Sequence, residues 1–428
     1  MRIFFILSII VLTYSFAGIQ LIKKENSDSN TTLLVIGGIH GDEPGGYFAA
    51  SLLATHYKIT SKNLWIIPNL NQESIIANNR GIHGDMNRKF SSIAKKDRDK
   101  PIIDEVKEVI LSKKVSLVLN LHDGHGFYRQ KDNGSIFNPT AWGQTCVIDQ
   151  CNLKQDQPFG NLNNIALTVK NNVNKQLLKE HHSFNVKNTN TKYKDEEMQL
   201  SLTYFAVTNN KPAFAIETSK NLSSLAQKVF YQLLAIEEYM KIMGITYERS
   251  FNLNEASISK IIINYGTLNI NDTILLNLRD IKNTLSFIPI KSESNVFNFS
   301  HPLGVIKRVR GEFQVFIGNN KITKLRPQYF KLSSICSENF SVEVDEKPLK
   351  IEKATEFYVN DDFKVIKSNG YRVNVIGFHA KNKFDESEIR ISLKDLNPRF
   401  SLDKNNKIYR IEFYKNDEFC SMLMVHFK

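Results

Sequence analysis

Cysteine and tryptophan are scarce in this chain, at four and two residues among 428, and long apolar runs are missing beyond the extreme N-terminus. No C-x-x-C pair and no Cys/His finger spacing occurs, so cysteine is not the residue type to search for a metal site. No stretch after residue 17 approaches the ~20 apolar residues that a bilayer span needs. There is no repeat of fixed period and no low-complexity linker. Acid is also in deficit, with 56 Lys and Arg against 44 Asp and Glu, a formal charge of +12. Hydrophobic content of 42% and charged content of 23% are those of a globular protein rather than a disordered or coiled-coil one.

The length predicts two or three domains. Met1-Arg2 is a short positive region, Ile3 to Phe16 is almost continuously apolar, and Ser15-Phe16-Ala17 supplies small residues at −3 and −1. Residues 1–17 therefore read as a secretory signal with cleavage before Gly18, and the mature chain is expected outside the cytoplasm. An uncleaved anchor is the alternative. Export permits disulfides. Cys146 and Cys151 are close enough to bridge a short loop, and Cys336 with Cys420 could pin the ends of a C-terminal unit. The positive charge favours acidic partners such as anionic polymers, carboxylate-rich substrates or membrane surfaces; a lysine-rich solvated surface is the bland alternative. Export and the lack of a recognisable binding motif argue against nucleic acid.

From residue 31 to 244 strands alternate with helical stretches. Leu33 to Ile36 is an apolar run ending in Gly37-Gly38. Pro44 opens a helix through Tyr57. Leu64 to Ile67 and Val115 to Leu121 are buried strands, and Ile102 to Leu111, 161–180 and 222–242 read as helices, with strands at 202–207 and 213–217. That pattern predicts an α/β domain with a covered, mixed but largely parallel sheet. After Gly244 the chain turns to short β-branched and aromatic alternations, such as Ile261-Ile262-Ile263, Leu285 to Ile288, Phe313 to Phe316 and Tyr371 to Val375, punctuated by Asn271-Asp272, Gly318 to Asn320 and Asp403 to Asn406. These predict two small β-rich modules of sandwich or barrel type. The expected boundaries are 18–246, 247–335 and 336–428, the last with an immunoglobulin-like pattern.

The densest chemical signal is Gly37 to Gly46, G-G-I-H-G-D-E-P-G-G, directly after a strand, where α/β sheets place ligands. His40 and Glu43 offer an imidazole and a carboxylate three residues apart, and the glycines let the backbone curl both toward one ion. A catalytic zinc needs a third protein ligand and an open position. His122, at the end of the Val115 strand, is the candidate, with His125 as its competitor.

Between these segments lie Arg80, Asp85, Asn87 and Arg88, and beyond them Glu217 ends the apolar run Pro212 to Ile216. This ordered set resembles the zinc carboxypeptidases of the funnelin type over residues 31–244. The resemblance implies that His40, Glu43 and His122 hold Zn²⁺ and that Asp85 orients His40. It implies that Asn87 and Arg88 grip the substrate's terminal carboxylate, that Arg80 steadies the oxyanion, and that Glu217 is the general base. The planar fork of Arg suits a carboxylate, and a fixed cation lowers the barrier where negative charge develops. The flexible tyrosine of that family has no clear counterpart, since Tyr193 and Tyr204 both precede Glu217. Trp142, on a glycine-containing loop, is a candidate wall of the cleft, against a core or surface tryptophan.

Export, basic charge and appended β modules make the arrangement similar to periplasmic peptidoglycan carboxypeptidases of helical Gram-negative bacteria. In that group the first zinc ligand is not always histidine; here it is His40. The resemblance implies removal of terminal meso-diaminopimelate from a muropeptide tripeptide to leave a dipeptide, a contribution to helical cell shape, and cell-wall or scaffold contacts through the β-rich modules. The alternatives are a zinc deacylase of the aspartoacylase or desuccinylase kind and a catalytically silent wall-binding module.

Overall fold

The computed structural model describes residues 14–15, 18–26, 29–155 and 157–428, in two compact units, 1–262 and 263–428. The signal segment expected over residues 1–17 lies outside the described residues apart from the backbone of Tyr14–Ser15. Among the described residues no helix is long and apolar enough to cross a membrane.

The first unit is built on one mixed sheet. Its elements in chain order are β1 (Tyr14–Ser15), β2 (Gln20–Lys24), β3 (Thr32–Ile36), α1 (Pro44–His56), β4 (Tyr57–Ile59), β5 (Asn63–Ile67), α2 (Gln72–Ile76), α3 (Lys100–Leu111) and β6 (Val115–Gly124). The short strands β7 (Phe127–Tyr128) and β8 (Phe137–Asn138) pair with each other, and β9 (Thr145–Ile148), α4 (Leu162–Val173), β10 (Asn185–Asn188) and α5 (Thr191–Lys194) follow. The unit closes with α6 (Leu202–Thr208), β11 (Ala213–Ser219), α7 (Leu225–Ile242), β12 (Tyr247–Arg249) and α8 (Glu255–Ile262).

The sheet order is β1-β2-β5-β3-β6-β11-β9-β10. Strands β5, β3, β6 and β11 are mutually parallel, while β2 and β9 run antiparallel to their inner neighbours. The parallel centre is why β3 and β5 are buried on both faces and read as plain apolar runs rather than alternations. It also sends the carboxyl ends of β3, β6 and β11 to one edge.

Three expectations are corrected. The run Leu202 to Val207, expected as a strand, is helix α6. Ser201 caps it by accepting a hydrogen bond from the Tyr204 N–H at 3.2 Å, a local signal stronger than the aromatic and β-branched content. Ile261 and Ile262 close helix α8, in which only Ile258 is buried, so their β-branching reports the end of an amphipathic helix. The boundary expected after residue 246 falls inside the first unit, because β12 pairs antiparallel with β4 and Glu255 on α8 accepts from Ser224 at 2.9 Å.

The second unit is all β. Thr267–Ile270 pairs with Ile274–Asn277 across a turn in which Asn271 and Asp272 take φ of 55° and 56°, and on its other edge with Phe297–Phe299. A four-stranded sheet carries Leu285–Ile290, Asn320–Tyr329, Glu312–Ile317 and Gly304–Val309. Residues 339–427 form two further four-stranded sheets enclosing a core that includes Phe340, Phe363 and Phe413. Cys336 and Cys420 are joined by a disulfide. Cys146 and Cys151 are not bridged: Cys146 is buried in β9 and Cys151 is exposed beyond it.

Candidate active site

His40 and Glu43 sit on the loop between β3 and α1. Glycine is required there by close approach: a Cβ on Gly41 would lie 2.0 Å from the Ser74 carbonyl oxygen, and one on Gly45 would lie 2.3 Å from Asp123 Oδ1. The Gly45 N–H, in the first turn of α1, donates to Asp123 Oδ2 at 2.8 Å, so a carboxylate on β6 locks the helix start against the strand. Thr218 on β11 donates its hydroxyl to the other oxygen of Asp123. On β6, His122 follows Leu121, and its carbonyl accepts from the Gln232 amide of α7 at 2.7 Å.

These elements bring the donor atoms of His40, Glu43 and His122 within 4.8 Å of one another. The three residues are 2%, 4% and 3% exposed. Glu43 bridges the two rings, with His40 Nδ1 2.9 Å from Oε1 and His122 Nδ1 2.7 Å from Oε2. The opposite nitrogen of His40, Nε2, lies 2.8 Å from Asp85 Oδ1, and Arg80 donates to Asp85 Oδ2 at 2.9 Å and to Glu43 Oε1 at 3.2 Å. Two imidazoles and a carboxylate converge while Asp85 fixes the far side of His40, which is the donor set and outer support that a tetrahedral zinc uses. The residues fit the ion.

The electrostatics point the same way. Burial pulls the His40 imidazolium down, but Glu43 and Asp85 outweigh it and raise its pKa to about 9. Burial dominates at His122, which Glu43 alone does not compensate, and its pKa falls. Glu43 is held well below the usual carboxylate range because the two histidines overcome its burial. His40, each of whose ring nitrogens faces a carboxylate, is thus the imidazole most favoured to be charged, and a bound metal would displace a proton from it.

Glu217 stands directly opposite His122 in the β6–β11 register. Its pKa is raised well above the ordinary value, first by burial and then by the charge of Glu43. Arg80, Asn87, Arg88 and Trp142 line the same cleft, of about 340 Å³. Asn87 Oδ1 accepts from the Leu202 N–H at 3.0 Å, which ties the segment of Arg88 to α6. Lys187 lies 4.1 Å over the Trp142 ring and donates to the Ala141 carbonyl at 2.8 Å, fixing the loop that carries the tryptophan. His125 lines the cleft but does not join the His40–Glu43–His122 cluster. Tyr193 is 77% exposed, and no tyrosine lines the cleft among the described residues.

Several cleft residues carried no signal in the sequence, among them Asn120, Asp123, Asp195, Glu197, Thr203 and Lys220. Asn120 lies two residues before His122 on β6, fully buried, with neither amide atom hydrogen-bonded among the described residues. The strand alternation that places His122 on the cleft face places Asn120 there too, so period-two reading from His122 could have found it.

The family model described as "carboxypeptidase controlling helical cell shape catalytic" matches residues 1–264, and one described as "C-terminal domain of metallo-carboxypeptidase" matches residues 333–428. The chain is similar to the apo crystal structure of the cell shape determinant protein Csd4 from Helicobacter pylori, with 34% identity and a TM-score of 0.89, covering 96% of this chain and all of that one. Csd4 structures with tripeptide bound and with mDAP bound, the latter described as a D,L-carboxypeptidase, match at 34% identity and a TM-score of 0.89, over 96% and 95% of this chain and all of each of those. No curated protein sequence matches. With the family model spanning more than half its length, this chain belongs to the carboxypeptidases that control helical cell shape.

Proposed function

We propose that this chain is a zinc D,L-carboxypeptidase that removes terminal meso-diaminopimelate from peptidoglycan tripeptide stems, leaving dipeptides, in the periplasm. The observation that carries the reading is the register of β6 and β11, which sets Glu217 opposite His122 at a buried His–Glu–His cluster inside one cleft. The tripeptide- and mDAP-bound relatives support the substrate class. The apolar N-terminal segment supports the location.

His40, Glu43 and His122 would hold the ion, with Asp85 keeping the His40 ring oriented. Zinc bound there would supply Lewis acidity for the scissile carbonyl and the attacking water. Glu217 takes the proton from that water and returns it to the leaving amine; burial, which raises its pKa, makes it a stronger base than a solvated carboxylate. Arg80, bonded to Asp85 and Glu43 at the cluster's rim, steadies the negative charge that develops on the carbonyl oxygen. Asn87 and Arg88 take the terminal carboxylate.

Asn120, Thr203, Trp142, Asp195 and Glu197 line the same cleft, and under this reading they take the released residue. A buried amide without partners is costly unless a ligand satisfies it. Diaminopimelate ends in a second amino acid centre, whose amine suits Asp195 and Glu197 and whose remaining polar groups suit Asn120. Family membership sets aside the deacylase alternative.

Incubation of the purified protein with muropeptide tripeptide, tetrapeptide and pentapeptide, read by mass spectrometry, tests the reading. Release of diaminopimelate from the tripeptide alone is expected; no release from any of the three would overturn it.

A further inference from the structure

Lys220 lines the cleft and has no part in the roles above. Its ammonium lies 2.6 Å from Asp42 Oδ2 and 4.0 Å from Glu43 Oε1, and its side chain is 34% exposed. Its backbone N–H donates to the Gly124 carbonyl at 2.7 Å, which fixes it beside the segment that follows His122. The anchor Asp42 uses one carboxylate oxygen on Lys220, while its other oxygen is buried without a partner among the described residues. The lysine is thus tethered at one point and keeps donors free for a second anion.

The sheet gives the cleft a direction. Strands β6 and β11 run parallel, with Asn120 opposite Ala215, His122 opposite Glu217 and Gly124 opposite Ser219. Asn120 and Ala215 precede the His122–Glu217 row along the strands; Gly124 and Lys220 follow it. Under the stem-peptide reading, on which this inference rests, the terminal residue occupies the Asn120 side. The residue before the scissile bond then extends toward Gly124 and Lys220. In a stem peptide that residue is a glutamate joined through its side-chain carboxyl. Its main-chain carboxylate is free, on a short methylene arm from the scissile carbonyl. In an ordinary peptide the main-chain carboxyl is itself the scissile amide, so no main-chain carboxylate remains free.

We propose that Lys220, tethered by Asp42, binds this free carboxylate and is a specificity-determining residue for γ-linked acidic substrates. A charge-assisted hydrogen bond in a partly desolvated cleft discriminates on the order of tenfold or more against a neutral group. The rival role, a plain ion pair that holds the Asp42 loop, gives no such discrimination.

The test uses two tripeptide stems that differ only in that carboxyl, one as the free acid and one as the carboxamide. The quantity measured is kcat/KM for the full chain, for Lys220→Gln and for Lys220→Arg. Wild type is expected to prefer the acid by about tenfold or more. Lys220→Gln should erase the preference by slowing the acid substrate, and Lys220→Arg should keep most of it. Equal rates on both stems in wild type, or equal slowing of both by Lys220→Gln, would overturn the role of Lys220 while leaving the stem-peptide reading intact. Cleavage of neither stem by wild type would sink both.

Discussion

Glu43 and Glu412 are both buried carboxylates, at 4% and 3% exposure, one in each unit, and each faces positive or protonated partners. Glu412 lies 2.8 Å from Arg410, which is itself 4% exposed, and accepts from the Tyr414 hydroxyl at 2.6 Å. Arg410 spends its other donors on the carbonyls of Ser286 and Phe287, at 3.2 and 3.0 Å. Every strong partner in that set is fixed within the second unit. Burial nonetheless raises the Glu412 pKa, with Arg410 opposing. Glu43 instead faces two imidazoles whose bond to it depends on a removable proton, on the wall of an open cleft, and those imidazoles hold its pKa down. A closed ionic set holds a fold together. An open one with displaceable protons has the makings of a metal centre.

Four expected outcomes test this contrast. The largest is at Glu217: Glu217→Gln should lower kcat by about 10²–10⁴-fold while zinc content is unchanged, since the proton transfer is lost and the ligands are not. Retention of near wild-type turnover would remove Glu217 from the role of base. Next, Arg410→Ala should destabilise the second unit by about 3–5 kcal/mol in chemical denaturation, because buried Glu412 loses its ion-pair partner and keeps the Tyr414 hydroxyl, a neutral donor. Replacing both partners, as Arg410→Met with Glu412→Leu, should recover most of that loss. A single-variant cost under about 1 kcal/mol would mean that the pair is not closed.

At the open set, Asp85→Asn should weaken zinc binding about 10- to 100-fold, read by competition with a chelating dye. The most gradual effect, stepwise per pH unit, is in pH. His40 titrates at about 9 in the metal-free protein, so below that pH the ion must displace its proton. Apparent zinc affinity should therefore climb about tenfold per pH unit from 7 toward 9 and level off above it. Affinity flat across that range would place the displaced proton elsewhere.

Much of the catalytic unit was legible because parallel strands are plain apolar runs, and the chemistry sits just past their ends. Leu33 to Ile36 leads into His40 and Glu43, and Val115 to Leu121 into His122. What could not be read was which strands are neighbours. Glu217 and His122 are joined by a register that no local pattern encodes. Lys220, in an ordinary Ser-Lys-Asn turn, becomes a cleft residue only once β11 lies beside β6. Cysteine spacing misled for a related reason: Cys146 is committed to the interior of β9 and Cys151 to the surface beyond it, so nearness in sequence did not become nearness of sulfur atoms. Helix α6 shows the opposite failure, where a cap at Ser201 overrode composition.

In the proposed mechanism one ion held by His40, Glu43 and His122 drives peptide hydrolysis. The direct measurement is zinc content and tripeptide turnover of the same preparation before chelation, after chelation and after zinc is restored. One zinc per chain is expected, with turnover abolished by its removal and regained on its return. Full turnover by the zinc-free protein would contradict it.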